Sequence, residues 1–116
     1  MPYQDIKDRL YHGHRKVANN THLQLDEFYL GDNAEIPAEC INMMLHGNIV
    51  VSFHKNCLYL YSAGWRTKTT RARLNMALQE LANVDCGICQ KNHRWYVCRP
   101  QLDDIPFTEG MRLHYQ

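Results

Sequence analysis

The stretch Leu58-Tyr-Leu-Tyr-Ser-Ala-Gly-Trp-Arg-Thr-Lys-Thr-Thr-Arg-Ala-Arg-Leu-Asn75 changes its apolar period halfway along. Leu58 and Leu60 alternate with Tyr59 and Tyr61, the period of a half-buried strand. Gly64 takes a positive φ at no steric cost, so the chain turns there. From Thr70 the period becomes helical: Leu74, Ala77, Leu78 and Leu81 share one face, while Ala72, Met76, Gln79 and Asn83 lie opposite. Thr67, Thr69 and Thr70 are candidate N-caps. The pattern predicts a helix over about 69–83 whose leucines pack on the sheet containing the strand. That restricts the fold to an α+β layer: an antiparallel β-sheet of hairpins with one main helix on one face.

The charges around this turn are unusual. Arg66, Lys68, Arg71 and Arg73 crowd a helix N-terminus that already carries about half a positive charge. Each such cation is unfavourable by ~0.3–1 kcal/mol at an exposed site. From Lys55 to Gln79 there is no Asp or Glu, and from Val17 to His54 no Lys or Arg. That acidic half holds Asp26, Glu27, Asp32, Glu35 and Glu39. One reading is an anion site in which free helix N–H groups, threonine hydroxyls and arginines meet phosphate or an acidic partner. The other is that the arginines are solvated or meet acids of the N-terminal half. Sign segregation of this kind also suits a protein partner or a homodimer.

Length and composition narrow the classes. A chain of 116 residues is expected to form one domain, with 1–20 as a short helix and polar segment and 21–113 as the α+β body. A hydrophobic fraction of 45% suffices for a core. A formal net charge of +1 is too small for a tight non-specific DNA binder. No apolar run approaches the ~20 residues of a membrane span, so no membrane partner is expected. Five cysteines and a polar start without a visible signal peptide predict free thiols in a reducing cytosol.

In chain order, Tyr3, Ile6, Leu10 and Tyr11 suit a short amphipathic helix ending near Gly13. His12–Thr21 reads as a polar segment that is neither strand nor helix. It is a solvated connector or, through His14, Arg15, Lys16, Asn19 and Asn20, an irregular functional segment. A first strand is expected at about 21–26, a loop over 31–37 turning at Asp32-Asn33, and a strand over Ala38–Leu45. Lys55-Asn56 joins two strands as a tight turn, which places Phe53 opposite Leu58, Val51 opposite Leu60, Ser52 opposite Tyr59 and Val50 opposite Tyr61. Asn92-His93 joins a second hairpin, with Ile88 opposite Val97 and Gln90 opposite Trp95. The tail turns at Glu109-Gly110 and packs Phe107 and Met111 on the body.

His14–Thr21, the strand ending Leu45-His46, the run Ser62–Asn75, Trp95-Tyr-Val97 and Phe107-Thr-Glu-Gly-Met111 together resemble a family of small bacteriophage proteins. The Gly-Trp-Arg-Thr-x-Thr-Thr-x-x-Arg-x-Asn pattern is the most specific part. The resemblance covers most of the chain from His14 to Leu113 and brings no catalytic residues with it. It implies a phage origin and the cytoplasm of an infected bacterial host, and the cysteines and the Cys40–Met44 strand depart from the pattern.

Cys86, Cys89, His93 and Cys98 approach a zinc-knuckle spacing, against the hairpin that puts Cys89 and Cys98 on one face and Cys86 on the other. Zinc is therefore the alternative to no cofactor, and with it a zinc-knuckle-like nucleic-acid binder. Seven histidines invite a phosphodiester-processing enzyme, yet no recognised catalytic motif is present. That reading needs two histidines converging in a cleft near the arginines. Cys57 and Cys89 lack an identifiable base and read as packed thiols. Trp65, Tyr59 and Tyr61 beside the cations suit single-strand binding, although Trp65 alone reads as a core residue closing the sheet–helix corner. The expectation is a non-enzymatic phage protein that binds a host protein, nucleic acid or nucleotide in host takeover or defence evasion. Its contacts would be Trp65, Arg66, Thr67, Lys68, Thr69, Thr70, Arg71, Arg73 and Asn75, helped by His14, Arg15, Lys16, Asn19 and Asn20.

Overall fold

The computed structural model describes residues 2–29 and 38–115. The expected loop over 31–37, with its turn at Asp32-Asn33, lies outside the described residues. The chain begins with helix α1 (Pro2–Asp8). Proline at the first helical position has no N–H to leave unpaired. Tyr3 and Ile6, one turn apart, are its buried residues. Lys7 Nζ donates to Glu39 Oε1 at 2.6 Å and ties the helix to the sheet.

The main sheet contains β1 (His14–Ala18), β2 (Thr21–Phe28), β3 (Ala38–Leu45), β4 (Asn48–Phe53), β5 (Cys57–Leu60) and β9 (Met111–His114), in that spatial order. Every pairing is antiparallel. A second sheet holds β6 (Gly87–Lys91), β7 (Arg94–Cys98) and β8 (Ile105–Pro106). One main helix on antiparallel strands is the α+β layer expected from the sequence. The single expected sheet is instead two, because β6–β8 pack against the helix from another side.

The hairpin registers follow from the two-residue turns. Val51 pairs with Leu60, Ser52 with Tyr59 and Phe53 with Leu58. Ile88 pairs with Val97 and Gln90 with Trp95. Tyr61 N–H donates to Val50 O at 2.8 Å just beyond the ladder. Leu23, Ile41, Met43, Val51, Phe53, Leu58 and Leu60 all lie on one face, and none is exposed. The helix lies over them.

Helix α2 (Lys68–Asn75) is capped by Thr67, whose Oγ1 accepts from Thr70 N–H at 3.2 Å. Past Asn75 the chain widens into a π-helical segment (Met76–Leu81). Leu74, Ala77 and Leu78 are fully buried, as the periodicity requires. The second sheet closes the same core with Ile88, Trp95 and Val97. Phe107 is buried and Met111 packs against this core, so the tail folds back as expected.

The expectation for the N-terminal segment is also corrected. The polar segment after Gly13 is not irregular: His14–Ala18 is the edge strand β1, turning at Asn19-Asn20 into β2. Asn20 adopts a left-handed φ of 52°, which asparagine tolerates. His14 and Lys16 face solvent while Arg15 and Val17 are half-buried. Charged residues on a sheet edge discourage pairing with other chains, so polarity here marks an edge rather than a loop.

Candidate functional site

Between β5 and α2 the chain makes a tight corner. Glu109 holds its entrance: one carboxylate oxygen accepts Ser62 N–H at 2.9 Å, and the other accepts the Ser62 hydroxyl. Trp65 N–H then donates to Ser62 O at 2.9 Å. Ala63 and Gly64 between them have φ of 55° and 77°. Glycine takes this conformation freely, whereas alanine takes it at a cost. The turn throws Trp65 outward, where it is 67% exposed. Trp65 is therefore not the core residue that closes the corner; Trp95, 3% exposed, occupies the core instead.

Beside this turn lies a cavity of about 420 Å³, in the size range of small-ligand sites. Leu45 and Val50 contribute apolar wall, Trp65 forms one side, and Thr67, Thr69 and Asn48 bring polar groups. His46 also lines the cavity and is also left-handed, with a φ of 51°. Two strained non-glycine residues therefore flank one cavity, the kind of cost that binding and catalytic sites carry. Among the described residues that line the cavity, none is acidic.

The predicted contact residues divide in two. Arg66 turns away from the cavity: its guanidinium lies 5.2 Å from the Phe107 ring centroid and 6.0 Å from that of Trp95. It also approaches Glu109 at 3.8 Å. Arg73 Nε donates to Thr21 Oγ1 at 2.9 Å and pins the helix to β2. Asn75 straps the helix to β6, its Oδ1 accepting Ile88 N–H at 2.6 Å and its Nδ2 donating to Ile88 O at 3.2 Å. Thr70 is buried and Thr67 is occupied as the cap. Trp65, Lys68 and Thr69 are exposed, and Arg71 is half-exposed. Among the described residues, neither Lys68 nor Arg71 has an ion pair or side-chain hydrogen bond.

The N-terminal group is only partly brought in. Asn20 O accepts His46 N–H at 2.9 Å, which sets the Asn19-Asn20 turn beside the cavity wall. Lys16 and His14 lie farther back along β1, at ~3.3 Å per residue. Arg15 lies on the inner face opposite Leu23 and lines a different cavity with Asp8 and Glu80. Leu45, His46, Asn48 and Val50 are not among the contact residues expected from the sequence. The signal was there in His46-Gly47, a two-residue turn between strands.

The histidines do not gather at the corner, where His46 is the one that lines the cavity. On the outer sheet face a cavity of about 490 Å³ contains His54, whose Nε2 is 3.1 Å from Ser52 Oγ. Burial lowers the His54 pKa, and burial raises that of Cys40 nearby, so Cys40 is a poor nucleophile. The expectation of free thiols is corrected in part: Cys89 and Cys98 form a disulfide, while Cys40, Cys57 and Cys86 are free. Diagonal positions on one hairpin face put their Cα atoms 6.3 Å apart, within bridging range. The spacing-based zinc set does not assemble, since Cys86 is buried in the core and His93 is exposed in the hairpin turn.

No helix among the described residues is long and apolar enough to cross a membrane. Neither the curated proteins nor the solved structures gave a match. The profile of the Kyanoviridae Gp96 protein family matches residues 4–114, and the chain belongs to that phage family.

Proposed function

We propose that this phage protein works by binding rather than by catalysis, and that its ligand is a phosphate-bearing group carrying an aromatic base, taken at the Trp65 corner. The observation that carries the reading is the exposed Trp65 ring at the wall of a cavity without acidic lining, followed within a few residues by Lys68 and Arg71, which have no side-chain partner among the described residues. A base stacks on an exposed indole, and such stacking contributes ~1–3 kcal/mol. Lys68 and Thr69 lie in the first turn of α2, where free N–H groups and a hydroxyl suit a phosphate. A nucleotide or the end of a single strand meets both demands. Binding in the cytoplasm of the infected host, as part of host takeover or defence evasion, is the setting in which such a protein acts. His46, His54 and His114 each line a different cavity, which favours this reading over phosphodiester processing.

Trp65 is also the natural probe. Titration of the protein with nucleoside phosphates and short single-stranded oligonucleotides should quench Trp65 fluorescence, with the Trp65→Phe variant as the blank. Saturable quenching that weakens with salt supports the reading. If neither ligand class perturbs Trp65 at millimolar concentration, phosphate-ligand binding at this corner is wrong. Capture of a host protein that depends on Trp65 would then redirect the site to a protein partner.

A further inference from the structure

We propose that Cys89 and Cys98, once reduced, join Asp104 to hold one divalent cation of the zinc class on the outer face of the second sheet. Cys89 lies opposite Tyr96, and Cys98 lies opposite Gly87. Both side chains therefore project away from Ile88, Trp95 and Val97, which fill the core. Ile105 pairs with Val97, so the preceding residue, Asp104, arrives beside Cys98 on the same outer face. The two sulfurs and a carboxylate oxygen of Asp104 all lie within 4.8 Å of one another, and each residue is half-buried.

This donor set matches the chemistry of zinc. Thiolate and carboxylate donors bind it at ~2.3 Å and ~2.1 Å, and tetrahedral geometry then separates donors by about 3.7 Å. Three protein donors leave a fourth position open to solvent. A cation already stands at the site: Lys91 Nζ is hydrogen-bonded to Asp104 Oδ2. Two thiolates and a carboxylate concentrate negative charge that one ammonium leaves unbalanced, and a divalent ion meets the excess. Reduction comes first. A dithiol reductant delivers two electrons and two protons to the disulfide and becomes a disulfide itself, and the metal then displaces the two thiol protons. The site differs from the spacing motif in the chain, because Asp104 replaces Cys86 and His93.

The test uses the whole chain, reduced with a phosphine under anaerobic conditions and titrated with Co²⁺. One equivalent per chain with a thiolate-to-cobalt charge-transfer band is the expected result. The band should be absent from the oxidised protein and from Cys89→Ser/Cys98→Ser. Affinity should fall at least ~10-fold in Asp104→Asn and persist in His93→Ala. Circular dichroism of each variant checks that it is folded, and Cys89→Ala/Cys98→Ala replaces the serine pair if that pair is not. No band in the reduced wild-type protein overturns the assignment. So does a band that survives loss of both cysteines, that ignores Asp104→Asn or that needs His93.

Discussion

Arg66 and Arg71 sit five residues apart in one basic run, yet the fold gives them opposite work. Arg66 lies against Phe107 and Trp95 and beside Glu109, closing the corner on the tail. Arg71 has no side-chain partner among the described residues and lies one helical turn from Lys68. The same division runs through the whole stretch. Thr70, Leu74, Arg73 and Asn75 hold the helix to two sheets, while Trp65, Lys68 and Thr69 meet solvent. On the proposed function, this basic cluster holds two overlapping devices, a latch and a contact surface, sorted by helix phase and by where the tail returns.

Substitutions that break the latch should cost most. Leu74→Ala removes a fully buried side chain between helix and sheet and should lower stability by about 2–5 kcal/mol in urea unfolding. Asn75→Ala leaves both backbone groups of Ile88 without their partner and should cost about 1–3 kcal/mol. Arg66→Ala should cost about 1 kcal/mol, because the guanidinium is nearly half exposed and its ion pair is long. If Arg66→Ala left the melting curve unchanged, the latch would not include it.

Acidification sharpens the picture on the other sheet face. Burial holds the His54 pKa below its ordinary 6.5, with Phe28 and Tyr59 against the ring. Below pH 6.5 the unfolded chain binds a proton that the folded chain resists. Stability should therefore fall as pH drops from above 6.5 towards the lower folded value. His54→Gln should flatten that slope in pH-dependent urea melts. An unchanged slope would mean that other groups set it.

Much of the fold was legible because its information is local. Lys55-Asn56 and Asn92-His93 fix two registers residue by residue, and the switch of period at Gly64 locates the helix face. What failed depends on distant chain. β9 joins β5 across about fifty residues of sequence, and no local pattern announces that pairing. The edge strand β1 was hidden by its own charges. Trp65 was misread because an aromatic residue near a turn carries no sign of direction; the left-handed Ala63 decides it. The partners of Arg66, Arg73 and Asn75, which are Phe107, Thr21 and Ile88, lie in other elements and leave no mark in the local sequence.

The contact half of the corner should show almost no stability cost. Lys68→Ala/Arg71→Ala removes two exposed or half-exposed cations and should shift unfolding by no more than ~0.5 kcal/mol. The most direct measurement pairs that double variant with Arg66→Ala, each followed by urea melting and by Trp65 fluorescence against a short single-stranded oligonucleotide. The account predicts that the double variant melts like the wild-type protein and loses most of its salt-dependent binding, whereas Arg66→Ala melts earlier and, while folded, still binds. Binding that survives in the double variant, or that is lost in folded Arg66→Ala, would contradict the division of the corner into latch and contact.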